Sequence, residues 1–317
     1  MSRNTFNNST DCQNTTNSYN TTTSNNVWNN CTVADDRPEI LKWLSLLDPG
    51  LRHSDIQERR VNDVGEWLMG TDEFRRWCGL GGEVEDDKAV LFCFGNPGVG
   101  KTFIRYHNRD YFRERSEPLL TSRDDSSLVV DWLCDRTKGQ YMSVTCFYFD
   151  FAARKEQTAT SMIGSLLKQM VSRTGGVPED IWRALREQKE AVSGRRPQLH
   201  DIVKILQLIT SSQRTFMIID ALDECTAVQR FRLFDSLKEI LQKSPGARIF
   251  VTGRPHICPE IETRLTGRVT SISVGPASDD IVRFLRVRLS EDETPDAMDS
   301  NLEAEILEKI PGSISDM

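Results

Sequence analysis

The segment "AVLFCFGNPGVGKT", residues 89–102, decides the fold. Its first six residues are apolar and run directly into a glycine, as in a short strand buried on both faces of a parallel sheet. Residues 95–102 fit Gly-x-x-x-x-Gly-Lys-Ser/Thr at every fixed position. Gly95, Asn96, Pro97, Gly98, Val99 and Gly100 then form a loop whose backbone N–H groups converge on phosphate oxygens. The next helix adds the positive end of its dipole. In such a loop Lys101 reaches the β- and γ-phosphates, and the Thr102 hydroxyl ligates Mg²⁺.

Outward from this segment, similar apolar runs recur as "VTCFYFDF" (144–151), "TFMIID" (215–220), "ARIFVTG" (247–253) and "VTSISV" (269–274). Helical patterns separate them. In "SMIGSLLKQMV", Met162, Ile163, Leu166, Leu167, Met170 and Val171 fall on one face. "DIVKILQLI" and "FRLFDSLKEIL" behave alike. The alternation predicts an α/β fold, a parallel five-stranded sheet flanked by helices.

The run "FMIIDALDEC" (216–225) ends in one acid, Asp220, with Asp223 and Glu224 close behind. A strand of the same sheet that ends in Asp220 brings this carboxylate beside the phosphate loop, where it can hold hydrated Mg²⁺. Three acids so close raise one another's pKa values unless a cation is present. Asp223 is the candidate second metal ligand, and Glu224 the candidate for orienting an attacking water. In "IFVTGRP" the strand tip carries Arg254, which can sense or stabilise a γ-phosphate charge.

The totals narrow the function. A net charge of -7 argues against a nucleic-acid-binding surface. No run approaches about 18 apolar residues, the length of a membrane span. The N-terminus "MSRNTFNNST" lacks the apolar core of a secretory signal. Eight cysteines form no Cys-x-x-Cys pair, and His53, His107, His200 and His256 fit no metal spacing. The expectation is a cytoplasmic protein with reduced thiols and no structural metal. Residues 1–36 are dominated by Asn, Thr and Ser, a composition that cannot bury enough surface to order itself. A competing reading is amide ladders in a self-assembling cross-β stack.

Taken in order, "GNPGVGKT", "FMIIDALDEC" and "RIFVTGRP" resemble the NACHT-type P-loop domain of STAND NTPases, in the fungal, nephrocystin-like branch found in NOD-like receptors. The upstream "ILKWLSLLDPGLRHSDIQERRVNDVGEWLMGTDEFRRW" is similar to the helical lead-in of that branch. The resemblance implies a lead-in over 37–85, a nucleotide-binding core over 86–276 and the start of a helical lid over 277–317. It also implies a signalling switch, closed with diphosphate and open and oligomeric with triphosphate. Asp220 would be the Mg²⁺-side acid and Arg254 the sensor. In the family a Thr often precedes the Gly-x-Trp of the lead-in, and here Val64 does. The polar stretch 106–126 interrupts an otherwise continuous amphipathic helix and is expected to be an insertion, such as translated intron sequence. The end of the chain within the lid is expected to reflect either truncation or a stand-alone nucleotide-binding unit.

The expected activity is binding of Mg²⁺ with ATP or GTP and weak hydrolysis. A turnover ATPase of AAA type would favour a glutamate directly after Asp220, where Ala221 stands. A third reading is an interaction protein with a self-assembling Asn-rich tail and a vestigial nucleotide site.

Overall fold

The computed structural model describes residues 36–47, 65–79, 88–96, 128–137, 142–173, 179–193, 195–275, 278–290 and 300–315. The chain divides into Met1–Asp36 and Arg37–Met317, and every described residue but Asp36 belongs to the second unit. The Asn-rich tail, the expected insertion at 106–126 and the loop residues Pro97, Gly98, Val99, Gly100, Lys101 and Thr102 lie outside the described residues.

Five strands form one parallel sheet: β1 (Val90–Phe94), β2 (Met142–Tyr148), β3 (Arg214–Asp220), β4 (Ala247–Gly253) and β5 (Val269–Ser273). Their order is β2-β3-β4-β1-β5, so β4 lies between the strand that leads into the phosphate loop and the strand that ends in Asp220. All five were expected from their apolar runs. The largest shift in a boundary is at the end of β2, at Tyr148 rather than Phe151. There the Asp150 N–H donates to Gln157 Oε1 (3.1 Å), and Asp150 Oδ1 accepts the Ala152 N–H (2.9 Å). A side-chain-built turn of this kind competes successfully with continuing the ladder.

Alternation along the strands sends side chains to two separate cores. Val90 and Phe92, Met217 and Ile219, and Ile249 and Val251 join one; Leu91 and Cys93, Phe216 and Ile218, and Phe250 join the other. The first core is closed by α1 (Arg37–Leu44), α4 (Ala159–Arg173), α5 (Glu179–Ala191), α6 (Leu199–Ser212), α7 (Ala227–Lys243) and α8 (Cys258–Arg264). The second is closed by a 3₁₀ turn (Glu66–Gly70), α2 (Asp72–Cys78) and α3 (Leu128–Thr137). The two described lead-in helices, α1 and α2, thus serve opposite faces of the sheet. Beyond β5, α9 (Ser278–Ser290) packs on α10 (Ser300–Ser315). The Asp280 carboxylate of α9 accepts the N–H of Gly65 (3.0 Å) just ahead of the 3₁₀ turn.

Helix α2 is seated by both apolar and polar contacts. Trp77 is fully buried, with Phe216 and Phe250 rings 5.6 and 5.9 Å away, and its indole N–H donates to Ala89 O (3.2 Å). Two arginines at the starts of β3 and β4 take the last carbonyls of the helix. Arg214 Nη2 donates to Cys78 O (2.7 Å) and Arg248 Nε to Trp77 O (3.2 Å). Cations there also oppose the negative end of the helix dipole. The outer edge of β2 is covered by Gln169 of α4. Its Oε1 accepts the Cys146 N–H (3.0 Å) and its Nε2 donates to Cys146 O (2.7 Å), so one amide occupies the place of a neighbouring strand.

Helix α1 crosses α4 at Gly164. A Cβ there would stand 2.4 Å from the Leu44 carbonyl oxygen, which is backbone at the end of α1. Alanine in a helix gains about 1 kcal/mol over glycine, whereas overpacking costs about 1–3 kcal/mol. Gly164→Ala should therefore destabilise the domain by about 1 kcal/mol despite its better helix propensity. Urea denaturation measures the balance, and a raised midpoint would mean that α1 yields to the added methyl.

Candidate functional site

The C-terminal edge of the sheet gathers the chemistry. Gly95, the first loop residue, donates its N–H to the Gly253 carbonyl (3.3 Å) at the tip of β4. Next to Gly253, Thr252 is in register with Cys93 of β1 on one side and reaches β3 on the other. Its hydroxyl donates to Asp220 Oδ1 (2.5 Å) and accepts the Ala221 N–H (2.9 Å). The two contacts carry the site from the phosphate loop across β4 to the buried carboxylate of Asp220. Asp220 thus does not lie on a strand directly beside β1, and Thr252 of the intervening strand makes the connection.

After Asp220 the chain turns abruptly. Ala221 adopts φ 55 and ψ 44, the left-handed region that L residues with a Cβ rarely enter. The next residue, Leu222, is fully buried in the first core and opens a 3₁₀ turn, Leu222–Glu224. Asp223 and Glu224 then emerge on the rim with different partners. Asp223 Oδ1 accepts the backbone N–H of Arg254 (3.1 Å), and Oδ2 pairs with Arg254 Nε (3.0 Å). The Asp223 side chain is 6% exposed and that of Arg254 48%. Glu224 is half-buried, and its pKa is pushed above the usual glutamate value, first by desolvation and then by the charge of Asp223. The Phe151 N–H works in the opposite direction, while Asp220 and Asp150 add to the rise.

Asp150 was not among the expected site residues. It follows β2, whose last residue pairs with Asp220 in the ladder, so its charge joins the same rim. The signal in the sequence was an acid directly after an apolar strand, the same signature that singled out Asp220. Thr252 was not among the expected site residues either, because a hydroxyl's partners cannot be read from spacing.

The rim is held from below by α7 and α8. Arg230 is buried, and its Nε lies 3.0 Å from both oxygens of Glu260 while Nη2 donates to Oε2 at 2.7 Å. Its Nη1 donates to Cys225 O (2.8 Å), tying the end of the acidic turn to the same ion pair. Among the described residues no group of three or more His, Cys, Asp or Glu could by itself hold a metal ion. Nucleotide-bound Mg²⁺ does not require one, since it keeps several waters and takes only one or two carboxylates besides the phosphates. A single buried, hydrogen-bonded carboxylate such as Asp220 fits that requirement.

Thr252→Val keeps the volume and removes the hydroxyl, leaving the Ala221 N–H and the Asp220 carboxylate each short of a partner. An unmet buried polar group costs about 1–3 kcal/mol. Thr252→Val should therefore lower stability by about 2–3 kcal/mol, while Thr252→Ser stays close to the parent. Paired denaturation curves check this, and equal losses for both variants would assign the effect to packing instead.

Comparison with known proteins adds the following. No curated protein matches the chain. Among solved structures, the Walker-type ATPase PABY2304 of Pyrococcus abyssi is similar at 16% identity and a TM-score of 0.42, over 77% of this chain. The chain spans 65% of the length of that protein. The family described as "Nephrocystin 3, N-terminal" matches residues 63–254, from just ahead of the 3₁₀ turn to Arg254 at the tip of β4. That span takes in more than half of the sequence, including the phosphate loop, the acidic turn and β4, and the chain belongs to the nephrocystin 3 N-terminal family.

Proposed function

We propose that this protein is a Mg²⁺-dependent nucleotide switch that binds ATP or GTP and hydrolyses it slowly. The observation that carries this reading is the relay Gly95–Gly253–Thr252–Asp220. It fixes a buried carboxylate at a set distance from the start of the Gly-x-x-x-x-Gly-Lys-Thr loop. In this reading Gly95, Asn96, Pro97, Gly98, Val99 and Gly100 wrap the phosphates, and Lys101 neutralises them. Thr102 and Asp220 are the residues that would hold Mg²⁺, which supplies charge compensation on the phosphates. Glu224 orients the attacking water, and its pKa, raised by desolvation and by the charge of Asp223, makes it a stronger proton acceptor than an ordinary glutamate. Arg254 answers the γ-phosphate charge.

The finer assignment is to the NACHT type of STAND NTPase, as in fungal NOD-like receptors, with homo-oligomerisation in the triphosphate state. The left-handed Ala221 supports a switch over a rapid motor. It turns Leu222 into the core, so the first acid after Asp220 to reach the rim is Asp223. No carboxylate then stands directly after Asp220, where a fast ATPase of AAA type places its catalytic glutamate.

Lys101→Ala should abolish triphosphate binding, by at least about a hundredfold, while the melting curve of the apoprotein stays unchanged. Asp220→Asn should raise the Mg²⁺ concentration needed for tight binding and leave metal-free binding nearly as it was. Calorimetry with and without Mg²⁺ reads both. Unchanged affinity in Lys101→Ala would refute the phosphate-loop assignment, and turnover of several per second by the parent would replace the switch with a motor.

A further inference from the structure

The pairing of Asp223 with Arg254 reaches beyond this reading and deepens it. A carboxylate that ligates a metal needs at least one oxygen turned to the ion. Both Asp223 oxygens instead face Arg254, one at the backbone N–H and one at Nε. The contact is local in space and distant in sequence, bringing the acidic turn after β3 against the tip of β4. It fixes Arg254 at two points, the main chain and the root of the guanidinium. Among the described residues nothing else meets this side chain, so Nη1 and Nη2 are left without a partner on a half-exposed group. The preceding residue, Gly253, accepts the Gly95 N–H, which puts the anchored arginine at the opening of the phosphate loop.

We infer that Asp223 is a positioning residue and not a metal ligand: it holds Arg254 by main chain and Nε, and presents Nη1 and Nη2 to the terminal phosphate of a nucleoside triphosphate. A guanidinium recognises phosphate best when its fork is set in advance, because fewer rotamers are lost on binding. The buried carboxylate does this by pairing at Nε, the root of the fork. A diphosphate lacks the group that the fork would meet, so Asp223 acts on the discrimination between the two nucleotides. It has no direct part in Mg²⁺ affinity. The inference rests on the nucleotide reading above.

The test is a double-mutant cycle on the full chain with Asp223→Asn, Arg254→Ala and the double variant. Dissociation constants are measured for a non-hydrolysable triphosphate and for the diphosphate, each across a Mg²⁺ titration. Asparagine keeps an acceptor for the Arg254 N–H but sets an amide N–H against Nε. Asp223→Asn should lower the triphosphate-over-diphosphate preference by about tenfold, the scale of one charged hydrogen bond. Arg254→Ala should lower it as much or more, and the double variant should be no worse than Arg254→Ala alone. The Mg²⁺ midpoint should stay at the parent value in Asp223→Asn, and diphosphate binding serves as the internal measure of folding. Additive losses, or a moved Mg²⁺ midpoint with an unchanged preference, would overturn the inference and return Asp223 to the metal. Should Asp223→Asn fail to bind diphosphate, Arg254→Lys takes its place. Lysine has no planar fork to be set in advance through a separate Nε, so its preference should fall too, and a parental value would overturn the inference. A Lys101→Ala control separates the two levels. If it leaves triphosphate affinity intact, the nucleotide reading fails and this inference with it, whereas a loss there with an additive cycle condemns the inference alone.

Discussion

The site depends on one hydroxyl. A carboxylate at the end of a buried strand is expensive to keep charged, because desolvation disfavours the ion and nearby acids add to the penalty. Thr252 lowers that cost by donating to Asp220, and by accepting from Ala221 it also fixes the first peptide beyond the strand. The residue can do both only because β4 lies between β1 and β3 in the sheet. Were β1 and β3 direct neighbours, no side chain from a third strand could bridge them. The strand order is therefore part of the chemistry. It sets the distance between the tips of β1 and β3 at about two interstrand spacings, or roughly 10 Å.

Three buried or half-buried arginines do the corresponding work on the scaffold. Arg214 and Arg248 fasten the last turn of α2 to the starts of β3 and β4, and Arg230 fastens α7 to α8 through Glu260. Arg248 donates to backbone carbonyls and Arg230 to a carbonyl and a two-oxygen carboxylate, which offsets the cost of burying their charge. The arrangement explains why the segment ahead of the phosphate loop is no loose leader. Trp77 and Phe74 complete the core on one face, and Ile40 and Leu44 complete it on the other. A perturbation of α2 would reach the roots of the two strands whose tips carry Asp220 and Arg254.

The strands were legible because a parallel sheet covered on both faces demands continuous apolar runs, and five such runs stand out between helical patterns. The apolar face from Met162 to Val171 was legible for the same reason, and those six side chains are buried. Helix α5 was not singled out, since Trp182 and Leu185 are the only buried positions of its thirteen-residue length and most of the others are charged. The end of β2 was misplaced because Phe149 and Phe151 look like strand residues, whereas Phe151 is 69% exposed beyond a turn set by Asp150 and Gln157. At the site, residue types were readable and partnerships were not. Asp223 and Arg254 are thirty-one positions apart, and nothing in either segment announces that the two close on each other.

The spacing of the acids acquires its meaning from the backbone between them. Left-handed geometry at a non-glycine residue costs about 1–3 kcal/mol, and folds retain it where surrounding contacts over-determine it. At Ala221 those contacts are the Thr252 hydroxyl on its N–H and the buried Leu222 immediately after it. The turn gives three neighbouring carboxylates three different partners. Asp220 stays in the sheet under a hydroxyl, Asp223 closes on a guanidinium, and Glu224 faces the Phe151 N–H with its pKa raised. A glutamate directly after Asp220 would occupy the strained position itself and lose that separation. The bend at Ala221 is thus what gives each acid of this turn its own surroundings.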